Sequence, residues 1–112
     1  MIITITRIEG PNIDCDKPCV CNTFAQANER LRVWSHTAPK NGCYDKCDFK
    51  IKGDDGELIY TGRYDLKHWR VECANLKAHV ISYLEYRKDY PKSSQDDRDR
   101  AEELIEFFKD KV

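Results

Sequence analysis

The chain has 112 residues, 19 Lys and Arg against 20 Asp and Glu, and is 40% hydrophobic and 35% charged. That length fits a single domain with a core of its own, an aromatic content of 11% argues against disorder, and a formal net charge of −1 gives no bulk electrostatic footprint for nucleic acid. No run approaches the roughly 20 apolar residues of a membrane-spanning helix, and MIITITRIEG lacks the regions of a signal peptide, so a cytoplasmic protein with no membrane partner is expected.

Residues 2–8, IITITRI, are β-branched at six of seven positions and predict a strand, with Ile3 and Ile5 on one face and Thr4 and Thr6 on the other. Residues 10–22 read as an irregular loop carrying Pro11, Pro18 and three cysteines. A helix should follow. Thr23 and Gln26 have capping-box spacing, and Phe24, Ala27, Leu31 and Trp34 recur at helical intervals until Pro39 and Asn41-Gly42 end the unit.

Residues 43–64 predict a hairpin. Cys43, Cys47, Phe49 and Ile51 share one parity, whereas Tyr44, Lys46, Asp48, Lys50 and Lys52 share the other, as in a half-buried strand. Gly53-Asp54-Asp55-Gly56 supplies turn chemistry, and a second strand over about 58–64 pairs back antiparallel. Asp65 is placed to cap the next element.

Two helices are then expected, over about 67–89 and 94–110. Leu76, Val80, Tyr83 and Leu84, preceded by Cys73, form the stripe of the first, which Pro91 stops. Ser93 or Ser94 caps the second, whose buried face is Ala101, Leu104, Ile105 and Phe108. Acidic residues in its first turn and Lys109 and Lys111 near its end complement the helix dipole. The expected fold is α+β, in the order β-α-β-β-α-α. A small antiparallel sheet with a central β-hairpin carries helices packed on one face, in one domain over 1–112.

Six cysteines are the compositional oddity. A reducing compartment disfavours disulfides, and Cys47 falls on an apolar face where a free thiol behaves as a small hydrophobe. The spacings C-x3-C-x-C and C-x3-C differ from the paired C-x2-C of zinc ribbons, so no metal cofactor is expected. The alternative is a structural zinc held by Cys15, Cys19, Cys21 and Cys43. His36, His68 and His79 belong to no catalytic signature, and no phosphate-cradling glycine loop is present, so the chain is not expected to be an enzyme. Tyr44, Lys46, Lys50 and Lys52 line one strand face, with Arg63, Lys67 and Arg70 following. Such a row can engage phosphates and bases, which keeps a nucleic-acid-binding module as the alternative function.

Three segments together carry a resemblance. They are Asn41-Gly42-Cys43-Tyr44-Asp45-Lys46-Cys47-Asp48-Phe49, then Asp55-Gly56, then Tyr60-Thr61-Gly62-Arg63-Tyr64-Asp65-Leu66. This resembles the large-polyvalent-protein-associated domain of type 25, whose pattern is a glycine-tyrosine-aspartate-lysine-x-aspartate-phenylalanine strand, a turn ending in glycine, and a tyrosine-x-glycine-arginine-x-aspartate-leucine strand. Asn75-Leu76-Lys77-Ala78-His79-Val80 is similar to that family's leucine-x-x-histidine helix, and the likeness spans about residues 22–108. Cys43 and Cys47 stand where the family has glycine and threonine, so the cysteines belong to this chain rather than to a family metal site.

The resemblance implies context more than chemistry. These domains are embedded in very long proteins of phages and of conjugative elements such as plasmids, and they have no assigned catalytic activity there. It implies a small non-enzymatic accessory protein of a mobile element that works by binding protein. The expected partner is a host defence complex, countered in the anti-CRISPR or anti-restriction manner, or a transfer protein. The surface to test is Tyr44, Asp45, Lys46, Asp48, Lys50, Arg63 and Asp65.

Overall fold

A computed structural model describes residues 1–7, 18–37, 46–65 and 75–112, with residues 35–37 described by their backbone alone. The elements are β1 (Ile2–Arg7), β2 (Cys19–Cys21), α1 (Phe24–Thr37), β3 (Lys46–Lys52), β4 (Leu58–Asp65), α2 (Leu76–Asp89) and α3 (Gln95–Lys109). The fold is α+β. The chain divides into two compact units, 1–74 and 75–112.

The first unit is built on an antiparallel sheet of order β2-β1-β3-β4. Alternation decides what each strand buries. Ile3 and Ile5 of β1 and Cys47, Phe49 and Ile51 of β3 are buried, and Ile3 faces Ile51 while Ile5 faces Phe49 across the ladder. Each fully buried isoleucine or phenylalanine contributes roughly 1.5–3 kcal/mol by leaving water. Arg7 shares that parity and is also buried, 3% exposed, opposite Cys47. Helix α1 lies against β1 and β2 and buries Phe24, Ala27, Leu31 and Trp34.

Thr23 Oγ1 accepts from the Gln26 amide at 3.1 Å, whereas the Gln26 side chain reaches one residue further back, accepting from the Asn22 amide at 2.7 Å. The β3–β4 turn closes on Gly56, whose φ of +83° suits glycine, and Asp55 Oδ1 accepts from the Glu57 amide at 3.0 Å.

Strand β2 corrects the expected order, because Cys19–Cys21 leaves the loop assigned to residues 10–22 and pairs with β1. Three residues beside Pro18 carry too little periodicity to be read as a strand; β1 supplies the template. A further correction concerns the join to the helices. Asp65 ends β4, opposite Lys46, and the element it was placed to cap lies outside the described residues. The helix expected over 67–89 is not continuous, since Asn75 is extended (φ −129°, ψ 147°) and caps α2 by accepting from the Ala78 amide at 2.8 Å. Asparagine in that geometry satisfies an orphan donor better than it continues a helix. Residues 66–74, with Cys73, lie outside the described residues.

The second unit is a helix pair. Leu76, Val80 and Leu84 of α2 and Ala101, Leu104, Ile105 and Phe108 of α3 are buried. Tyr83, expected in that stripe, is 46% exposed, because α2 buries a single i, i+4 row. Ser94 is the cap of α3, accepting from the Asp97 amide at 3.1 Å. At the other end, Lys77 Nζ donates to the carbonyls of Lys109 and Lys111 at 2.6 and 2.7 Å.

Candidate functional site

The even-numbered positions of β3 put their side chains on the face of the sheet opposite the isoleucines. Three cross-strand rows result. Lys46 faces Asp65; Asp48 lies between Thr6 and Arg63; Lys50 lies between Thr4 and Thr61. Lys52 follows, opposite Ile2. Lys50, Lys52, Thr61 and Arg63 are exposed, and Lys46, Asp48 and Asp65 are half-buried. The candidate residues Lys46, Asp48, Lys50, Arg63 and Asp65 therefore converge on one surface. Tyr44 and Asp45 lie outside the described residues.

Within that surface Arg63 Nε donates to Asp48 Oδ1 at 3.0 Å. Side-chain exposures of 59% and 44% make the pair a weak one, worth at most about 1 kcal/mol. Register sets Asp48, not Asp65, directly across from Arg63. Lys50 and Lys52 make no ion pair with a described residue. Among the described residues this face carries four cations, two carboxylates and three threonines, and no aromatic ring, since Tyr60 and Tyr64 fall on the other parity opposite Ile51 and Cys47.

The described cysteines, Cys19, Cys21 and Cys47, occupy the opposite side. Cys19 and Cys21 face Ile5 and Ile3 in register, and their sulfurs are 3.9 Å apart. Cys21 thus joins an apolar face, although residues 10–22 read as an irregular loop. Burial, then the neighbouring Cys19, pushes the Cys21 thiol up to about 11, with Arg30 drawing it slightly down. Cys47 is pushed up to about 12 by burial first and by the Asp48 charge second. The thiolate is both nucleophile and metal ligand, so these environments oppose the reactive form of both groups at neutral pH. Cys15 and Cys43, the other two members of the zinc alternative, lie outside the described residues. Among the described residues no three metal-ligating side chains come together.

Of the three histidines, His79 has a described side chain, half-buried on α2. Sequence reasoning missed a second surface, where Tyr83 and Tyr86 of α2 and Tyr90, the residue that caps its C-terminus, stand exposed; their i, i+3, i+7 spacing was the available signal. No described helix is long and apolar enough to cross a membrane. Comparison with protein-family models, with curated proteins and with solved structures finds nothing that matches this chain.

Proposed function

We propose that this chain is a small non-enzymatic binding protein that engages a protein partner through the open face of its sheet. The observation that carries this reading is the composition of that face: Lys46, Asp48, Lys50, Arg63 and Asp65 brought together in register, with threonines between them and both signs of charge represented. Alternating charge discriminates among protein surfaces, because each mismatched pair costs more than a matched one gains. The resemblance of residues 41–66 to the polyvalent-protein domain supplies the biological setting. In that setting the chain serves a phage or conjugative element as an accessory protein, acting on a host defence complex or on a transfer protein.

The test is paired charge reversal, Lys46→Glu with Lys50→Glu, followed by co-purification from the host and by thermal melting. The expected result is loss of the co-purifying partner with melting unchanged to within a few degrees. Retention of the partner by the double variant removes this face from the interaction.

A second reading is favoured by one observation, the excess of cations over carboxylates on the same face. Under that reading the sheet binds nucleic acid. Direct phosphate contacts would make affinity fall steeply with salt. Base stacking, the usual source of single-strand affinity, would fall to Tyr44, which lies outside the described residues. Titration with single- and double-stranded DNA and RNA at two salt concentrations separates the readings, and weak binding without salt dependence excludes this one.

A further inference from the structure

We propose that Cys19 and Cys21 are a reversible dithiol–disulfide pair, a thiol–disulfide exchange site on β2 whose oxidant is a small soluble disulfide. The pair lies on the side of the sheet away from the charged face proposed above, so it stands whether or not that face binds a partner.

Strand geometry brings the two thiols together. Residues i and i+2 of a strand project to the same side, and at a rise of about 3.3 Å per residue their Cα atoms lie about 6.6 Å apart. A disulfide spans Cα separations up to about 6.8 Å, so β2 can carry the bond without being rebuilt. The sulfurs already lie 3.9 Å apart and have to approach by roughly 2 Å to bond. Strand β2 can yield that much: it has three residues, and among the described residues it pairs with β1 alone. A bridge near the limit of reach is easily reduced, which suits a bond that opens and closes rather than a permanent staple. Transient bonds of that kind are the ones a reducing compartment tolerates.

Two thiols suffice for this chemistry. A structural zinc takes four ligands, and among the described residues no three metal-ligating side chains come together. Cys47, fully buried on β3, is closed to an external disulfide.

The two cysteines differ in the way the reaction needs. Cys19 is half-buried and open to an incoming disulfide, whereas Cys21 is 4% exposed. Cys21 is also the member that keeps its proton, because burial and the neighbouring Cys19 both oppose its thiolate. Cys19 therefore attacks. It loses its proton, its sulfur bonds to one sulfur of the substrate, the substrate's S–S bond breaks, and the departing thiolate takes up a proton. The product is a mixed disulfide on Cys19. The Cys21 sulfur then bonds to Cys19 Sγ, the mixed S–S bond breaks, and the proton of Cys21 goes to the second departing thiolate. Two electrons pass from the pair to the substrate, which leaves as two thiols. At pH 7 a thiol that titrates at about 11 is ionised to about one part in ten thousand. Contact offsets that factor, because oriented neighbours reach effective molarities of about 10⁵ M and more. The positive charge of Arg30, on α1, acts in the same direction.

Closure leaves a local mark. Val20, between the two cysteines, projects to the other face, is 66% exposed and stands opposite Thr4. Drawing Cys19 and Cys21 together bends the strand at Val20 and loosens its pairing with Thr4.

The experiment takes the reduced full chain, adds millimolar glutathione disulfide, quenches by alkylation and maps the cysteines by peptide mass spectrometry. Expected is a bond joining Cys19 to Cys21, with their peptide lighter by two hydrogens, and its loss in excess reduced glutathione. Amide chemical shifts should change chiefly at residues 3–5 and 19–21. Cys21→Ser should stop the reaction at its first step and keep glutathione on Cys19. Cys19→Ser should take up glutathione at Cys21 at least about tenfold more slowly, since that thiol is buried. Circular dichroism checks that both variants fold, and the map of the parent decides the matter by itself if either does not. A bond from Cys19 or Cys21 to any other cysteine, a glutathione adduct that persists on Cys19 of the parent, or two free thiols in excess oxidant would each overturn the proposal.

Discussion

The ring of Phe49 fills the space that a side chain on Gly62 would need. A Cβ built on Gly62 would lie 2.5 Å from Phe49 Cζ and 2.9 Å from Cε1, and the two residues are direct partners across β3 and β4. Phe49 also stacks on Tyr60, with centroids 5.9 Å apart. Two positions of the hairpin pattern, a phenylalanine in one strand and a glycine in the next, thus form one packing unit. Their shared presence has a structural cause and carries no information about a partner.

Gly62→Ala is therefore expected to lower stability by about 1–3 kcal/mol, the usual cost of overpacking. Combining it with Phe49→Leu should cost less than the two single losses added together, because a smaller side chain vacates the contested space. Urea denaturation of the four proteins measures the coupling. Strict additivity would mean that the ring moves aside freely and does not need the glycine.

The Asp48–Arg63 pair should behave differently. Both side chains are around half exposed, so Arg63→Gln or Asp48→Asn should change stability by less than about 1 kcal/mol. A loss above 2 kcal/mol would show that the pair organises the hairpin. A small stability change with loss of partner binding assigns the pair to recognition, where truncating one member of a charge pair acts on both affinity and specificity.

Lys77→Met probes the end of α3. The ammonium of Lys77 joins the two helices of the second unit by donating to two terminal carbonyls, those of Lys109 and Lys111. Methionine keeps the apolar stem and removes the donor, at an expected cost of about 1–2 kcal/mol. Chemical denaturation of the variant checks the figure, and an unchanged midpoint would show that water replaces Lys77 without loss.

The sequence made the hairpin legible because three independent signals agree there: a period of two, a turn with glycine and aspartate, and a parity that separates Phe49 and Ile51 from the lysines. Helix α3 was legible from its cap and stripe. Strand β2 was not, since Cys19–Cys21 is strand only by pairing with β1, a contact far from it in sequence. Tyr83 was misplaced because Tyr83 and Leu84 compete for one side of α2, and apolar character alone does not choose between i+3 and i+4. The candidate face was legible in membership but not in its pairing. Register, fixed by the whole sheet, gives Arg63 to Asp48 and Lys46 to Asp65.

The buried thiols predict a loss of stability in alkali. Cys47 is raised from 9.0 to about 12 in the folded chain, chiefly by burial, and Cys21 from 9.0 to about 11. Well below pH 9 both thiols are protonated whether the chain is folded or not, and their contribution to stability is fully present. Above pH 9 the unfolded chain releases protons that the folded chain retains. Unfolding therefore becomes progressively easier, until each folded thiol ionises in turn near pH 11 and 12. Between those limits each thiol lowers stability by about 1.4 kcal/mol per pH unit. Tyrosines and lysines titrate in the same range, so the comparison to make is with Cys47→Ala. That variant starts lower because of the cavity it leaves, but its stability should fall less steeply between pH 9 and 11 by about the share of one thiol. Parallel curves for the parent and the variant would mean that Cys47 ionises as readily in the folded chain as in the unfolded one, and the burial argument for it would fail.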